Sequence, residues 1–363
     1  MSTITLVANT NYSALTVANG DTIELAGFTL NFDVVPAETG VIVQTPGTTG
    51  KLTFALTTTY PLTGWVMTAG TGLLIATVAS GQTIGGKIIG GTASLSRGVT
   101  TIAAGGAVNE VQGGTATSTE GVLTNNGTVA SATGGSNNSS CHGVGTNASG
   151  GVIGAAYGGT TNGAYGVGTN ASGGVVTAAY GVSASGATGV GTNASGGVVT
   201  AAYGGSASSA TGVGTNNGTV NSATGGSVSS AFGVNINNGT VDSATGGIAN
   251  GAHGVSINNG TVNSATGGSA SSAYGISTNN GMITGAMTDS TGRAVNTWNG
   301  STCFVNGPNC NAVIPNNIQT IYSLGALSGG ATISGTATVI ELALAGGGGG
   351  GLIRVGYNGG LAG

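Results

Sequence analysis

A Gly-Val or Gly-Ile pair recurs through the middle of the chain, at Gly98, Gly121, Gly143, Gly166, Gly189, Gly212, Gly233, Gly254 and Gly275. Successive pairs lie 23, 22, 23, 23, 23, 21, 21 and 21 residues apart. Such a period restricts the fold more than composition does, because each unit must be one supersecondary element that buries its apolar face only against its neighbours. The last full unit, GVSINNGTVNSATGGSASSAY from Gly254 to Tyr274, holds short β-compatible pieces separated by Asn-Gly and Gly-Gly turn signals. Leucine-rich repeats have a similar length but need a leucine pattern that is missing, and propeller blades need about twice the length. The period predicts an all-β protein whose shaft is a three-sided parallel β-helix, a solenoid with rungs of 21–23 residues. Nine such rungs would rise roughly 43 Å at about 4.8 Å each.

Aligning the rungs gives columns. The residue after the marker glycine is Val99, Val122, Val144, Val167, Val190, Val213, Val234, Val255 and Ile276. It is β-branched every time and reads as an inward aliphatic ladder. Two residues on stand Thr101, Thr124, Thr146, Thr169, Thr192, Thr215, Ile236, Ile257 and Thr278, which a period of 2 puts on the same face as the valines. Next comes asparagine in eight consecutive rungs: Asn125, Asn147, Asn170, Asn193, Asn216, Asn237, Asn258 and Asn279. Asparagine tolerates left-handed backbone and bonds its own turn, and amides stacked at the strand spacing can bond one another along the axis. A run of exposed polar turns would not explain why serine or aspartate never replaces it, so the column reads as a structural asparagine ladder.

The residue before the marker is Arg97, Glu120, His142, Tyr165, Thr188, Thr211, Phe232, His253 and Tyr274. Strict alternation sets it beside the valine, whereas a glycine bulge turns it outward, and its mixture of charges and rings favours outward. A second aromatic column, Tyr157, Tyr180 and Tyr203, becomes Thr224, Thr245 and Thr266 in later rungs.

The composition fits this frame. The chain has 363 residues, of which 76 are glycine, five are Lys or Arg and nine are Asp or Glu, for a net charge of −4. Ordinary globular domains are roughly a quarter charged. Five cations cannot hold a phosphate backbone, so no nucleic-acid partner is expected. Glycine costs about 1 kcal/mol per helix position relative to alanine, which argues against a helical protein. The glycine has no every-third-residue period and there are only five prolines, which excludes collagen. No run of 18 apolar residues exists, so no membrane-spanning helix is expected. The start, Met1-Ser2-Thr3-Ile4-Thr5-Leu6, has no basic segment, and the first cation is Lys51. These favour a chain without a signal peptide, made in a cytosol.

Two flanks depart from the repeat. Residues 1–97 hold most of the large apolar side chains, among them Leu25, Phe28, Leu30, Phe32, Phe54, Trp65, Leu73 and Ile75. They read as irregular first rungs plus an N-terminal β cap and attachment region, since an uncapped first rung would expose a strand edge. Residues 98–286 are the shaft. Residues 287–363, with Trp298, Phe304, Tyr322 and a strand within Thr336–Ala345, read as a small C-terminal β module. The module ends in the six glycines Gly346–Gly351 and a short tail.

Sites for chemistry are scarce. β-Helices often carry polysaccharide-cleaving sites on an outer face, and glycoside hydrolysis uses two carboxylates roughly 5–10 Å apart. Between Gly98 and Gly285 the only acids are Glu110, Glu120 and Asp242. Glu110 and Glu120 fall in one rung, and Asp242 lies more than about 20 Å further along. His142 and His253 share a column but stand five rungs apart, too far to share a metal within one chain. Cys141 takes the place of an alanine repeated at Ala164, Ala187, Ala210, Ala231, Ala252 and Ala273, and reads as a small buried hydrophobe. Cys303 and Cys310 bracket FVNGPN and could either close a disulfide or stay as two thiols. No phosphate-binding loop, zinc-ligand spacing or nucleophile elbow occurs, so neither a catalytic set nor a cofactor or metal is expected.

A non-repeating β start, a shaft of GVxINNGTVxSATGGSxSSAYG-type rungs and a glycine-rich end together resemble bacteriophage virion appendage proteins: tail fibres, tailspikes and head-decoration fibres. The likeness is one of composition and organisation over about half the chain. It implies a non-catalytic structural protein on the virion surface, serving host adhesion or particle stability. It also implies a homo-oligomer, most simply a trimer, that contacts other virion proteins and a host surface glycan. A bacterial surface adhesin or self-assembling β-solenoid filament, and a β-helical polysaccharide depolymerase, remain as alternatives.

Overall fold

The computed structural model describes residues 2–267 apart from 45–47, 63, 72–73, 137–140, 161, 183–184, 207, 228 and 249–250; beyond these it describes short segments between 275 and 362, chiefly strand backbone. The chain is an all-β solenoid of parallel strands with about 11 turns. One sheet of 16 strands runs the length of the stack, from Thr3–Thr5 to Met287–Thr288. A second sheet of 10 strands runs from Ile75–Val78 to Ile276–Asn279. A third sheet of three strands, Thr10–Asn11, Thr29–Phe32 and Lys51–Phe54, closes the N-terminal turns.

In the shaft each rung carries one strand of the first sheet and one of the second. The third side is a turn-rich segment, and its backbone still bonds from rung to rung: Thr188 N donates to Ala164 O at 2.9 Å and Gly247 N to Ala231 O at 3.2 Å. Cys141 and the alanines 164, 187, 210, 231 and 252 are fully buried beneath this side.

The register keeps like side chains stacked. Val99 pairs with Val122, Val122 with Val144, and so on to Val255 with Ile276. The eight valines are fully buried and Ile276 is partly buried against the same core. Opposite them the first sheet contributes two inward columns, from Val108 to Val262 and from Val111 through Ala132 to Ala265. A core of valine, alanine and asparagine is thin, so each rung is stable only through its neighbours.

Period 2 fails within each shaft strand. In His142–Asn147 the buried positions are Gly143, Val144 and Asn147, with Gly145 and Thr146 turned outward between them. The threonine column expected beside the valines therefore stands on the outer surface, half-exposed at Thr101, Thr124, Thr146, Thr192 and Thr215 and exposed at Thr169; Ile236 and Ile257 are half-exposed as well. The pleat breaks because the asparagine turns inward to bond the corner that follows. Strands of the first sheet break likewise, with Val129 and Ala132 buried three residues apart.

No sheet boundary separates residues 1–97 from the shaft. The first sheet passes from Thr83–Ile89 to Ala107–Gln112 in parallel register. The core of the early rungs is aromatic. Phe32 stacks on Tyr12 at 5.2 Å and on Phe54 at 5.1 Å, and meets the edge of Trp65 at 6.4 Å. Leu73 lies outside the described residues.

From Asn296 onward the described strands form two sheets of four. Trp298, Cys303, Phe304 and Tyr322 lie in strands of one, as does Glu341–Leu344. Cys310 and Gly346–Gly351 lie outside the described residues.

Candidate functional site

The shaft carries a buried line of amides and, on its outer surface, a groove. The buried line is the asparagine column. Asn125 Nδ2 donates to Asn147 Oδ1 at 2.8 Å, and the same bond repeats from Asn147 to Asn170, Asn170 to Asn193, Asn193 to Asn216, Asn216 to Asn237 and Asn237 to Asn258, at 2.8–2.9 Å. All seven are fully buried. Each amide is also tied to its corner: Gly218 N donates to Asn216 Oδ1 at 3.1 Å, and Asn216 Nδ2 donates to Thr240 O at 3.0 Å. Asn279 stands in backbone register with Asn258. The line ends at Ile102, the in-register neighbour of Asn125.

The groove lies on the outer face of the second sheet. Arg97, Glu120, His142 and Tyr165 form one in-register, half-exposed column there. Further along, Thr188 and Thr211 take the same place and are buried. Arg97 Nε donates to Glu120 Oε2 at 2.7 Å, and the His142 ring meets Tyr165 edge-on at 5.0 Å. Glu120, His142 and Tyr165 each lean over a glycine of the next rung. A Cβ on Gly145 would lie 3.0 Å from Glu120 Oε1, one on Gly168 would lie 2.8 Å from His142 Nδ1, and one on Gly191 would lie 3.2 Å from the Tyr165 ring. With Leu123 and the outer threonines Thr146, Thr169 and Thr192 they line a shallow groove of about 410 Å³.

Burial lowers the pKa of His142 and Glu120 beside it pulls the other way. The His142 Nδ1 is buried without a hydrogen-bond partner. The groove can hold a polar chain through the hydroxyls of its threonines and the rings of His142 and Tyr165. It has one carboxylate, already paired to arginine. Glu110 lies on the other sheet, paired to Lys87 at 2.7 Å, and Asp242, six strands along from Glu110, accepts from Asn263 Nδ2 at 2.8 Å. The structure thus brings none of the three acids together. His253 stacks on Phe232 at 5.6 Å, away from His142. Cys141 sits 3.7 Å from the Thr119 hydroxyl. Among the described residues no three His, Cys, Asp or Glu side chains cluster as metal ligands would.

One feature escaped the column reading. A second amide line runs on the surface, Asn259 Nδ2 to Asn238 Oδ1 and Asn238 Nδ2 to Asn217 Oδ1, each 2.9 Å. Its signal is the Asn-Asn doublet of the later rungs. The second aromatic column, Tyr157, Tyr180 and Tyr203, is a stack, with rings 4.8 and 5.0 Å apart and planes 8° and 7° apart. No family model, curated protein or solved structure matches the chain.

Proposed function

We propose that the chain is a non-catalytic structural protein: a stiff shaft of a bacteriophage virion appendage, exposed on tail or head, that serves host-surface adhesion or particle stability. The observation that carries this reading is the unbroken amide line from Asn125 to Asn258, joined by six bonds along one buried corner of the stack. Such a line contributes stiffness and a fixed register along a long axis, which a fibre needs. Acid–base chemistry on a glycan would call for a second carboxylate near Glu120, and the groove offers none among its described residues. In this reading the outer threonines and Tyr165 meet polar surfaces, including a host glycan, and other virion proteins hold one end. Immunogold labelling of purified phage particles with antibody to the shaft tests it. Label on particles is expected; label confined to bacterial cell walls would replace it with a cell-surface adhesin.

A further inference from the structure

Three successive strands of the first sheet differ from their neighbours on the outer surface alone. Val152–Tyr157, Val175–Tyr180 and Val198–Tyr203 read VIGAAY, VVTAAY and VVTAAY, while the strands before and after read TVASAT and TVNSAT. The inward positions stay the same throughout, a Val or Ile and then an Ala, all at most 1% exposed. The interior therefore does not require the change. Outward, threonine and serine give way to valine, alanine and tyrosine, stacked in exact register. Val152, Tyr157 and Tyr203 are 38%, 38% and 37% exposed. Thr224 and Thr245 occupy the tyrosine column in later rungs, so the column itself does not need a ring.

We infer that this apolar patch is where a second copy of the chain packs face to face. Three arguments select that occupant. The first is period: side chains repeating at the strand spacing of about 4.8 Å are matched at every rung only by a surface of the same rise, which another copy supplies. The second is area. The patch measures about 20 Å by 14 Å, roughly 290 Å², from strand length and spacing. The polar face around it, from Ala107–Gln112 to Thr261–Thr266, extends the outer surface to eight strands. At about 20 Å by 38 Å that is some 770 Å² per copy, close to the roughly 800 Å² per partner of a stable interface, with an apolar centre and polar rim. The third is charge: residues 121–241 contain no Asp, Glu, Lys or Arg, so the five central strands, Thr128–Thr133 to Thr219–Thr224, meet a copy of themselves without like-charge repulsion, and the face carries acids only near its two ends, Glu110 paired to Lys87 and Asp242. The inference stands apart from the virion role proposed above.

Sedimentation of the full chain over a wide concentration range tests it. The test variant carries Val175→Thr, Thr177→Asn, Ala178→Ser and Tyr180→Thr, the outward residues that Thr219–Thr224 already bears in the same register. It changes no inward side chain, so the fold should persist, which far-ultraviolet circular dichroism and the melting temperature check. The expected result is an oligomer for the natural chain and self-association weakened at least about tenfold in the variant. Ser256→Glu, on the other sheet, should leave association unchanged. A natural chain monomeric at every concentration overturns the inference, whatever else then proves to cover the patch. So does an oligomer that a folded variant leaves undisturbed. Should the fourfold variant lose its fold, Tyr180→Thr alone is read by the same criteria.

Discussion

Asn216 donates through Nδ2 to Oδ1 of Asn237 at 2.8 Å, and both amides are fully buried. The direction is fixed by the corners. Asn216 Oδ1 accepts the Gly218 N–H and Asn216 Nδ2 donates to the Thr240 carbonyl, so a flipped amide would face donor to donor and acceptor to acceptor. The outer line runs the opposite way, from Asn259 to Asn238 to Asn217.

Asn237→Leu should remove the acceptor of Asn216 Nδ2, the donor to Asn258 Oδ1 and the bond to Thr261 O. The neighbours cannot reach water, so the expected cost is about 1–3 kcal/mol. Asn238→Leu removes only exposed bonds and should cost less than about 0.5 kcal/mol. Denaturant midpoints of the two variants decide it; equal midpoints would mean the inner amides do not act as a buried network.

Glycine substitutions should divide by cause. A Cβ on Gly247 would overlap the carbonyl oxygen of Gly226 in the rung below, and nothing flexible can yield. Gly150 has φ +77° and open space around its Cβ position. Gly247→Ala should therefore lower the melting temperature well beyond Gly150→Ala, whose cost is left-handed strain of about 1 kcal/mol. Gly150→Asn should recover part of that cost, because asparagine tolerates this backbone, while Gly247→Asn should not.

Acid should weaken the shaft in a defined window. His142 and His253 both have pKa values lowered by burial. A histidine with a folded pKa below its unfolded value binds fewer protons when native. Its stabilising contribution is complete above the unfolded value near 6.5 and is lost as pH falls toward the folded one. The denaturation midpoint should therefore drop as pH falls through about 6.5 toward the lowered folded values of the two histidines. His142→Gln should flatten part of this slope and leave the part due to His253. An unaltered slope would assign the window to other groups.

The valine and asparagine columns could be read from the sequence because one side chain recurs at one rung position and no competing role explains it. The outer threonines were misplaced because alternation assumes an unbroken pleat, and the inward turn of Asn147 breaks it. The outward column of Glu120, His142 and Tyr165 was legible from its chemical mixture, but the groove beneath it was not. Its floor is made by Gly145, Gly168 and Gly191, whose meaning depends on which side chain lies over them. The N-terminal core around Phe32 and Trp65 has no period, so no column could reveal which rings meet.

Register makes a last prediction. Deleting residues 213–233, one complete 21-residue rung, joins Gly212 to Val234. Strand Val234–Asn237 then lies on Thr188–Asn193, Asn237 takes the place of Asn216 above Asn193, and the Asn-Asn-Gly corner stacks on the same Asn-Ala-Ser-Gly-Gly corner as before. Nearest-neighbour stacking means that the shortened chain should fold cooperatively, shorter by about 4.8 Å and with a small loss of melting temperature. Deleting residues 213–232 keeps one glycine more and shifts every later side chain by one position. The valines would then face outward, because a one-residue slip exchanges the two faces of a strand. That variant should lose its sharp melting transition. If both deletions melt alike, the stack does not depend on the register that aligns Val213 with Val234.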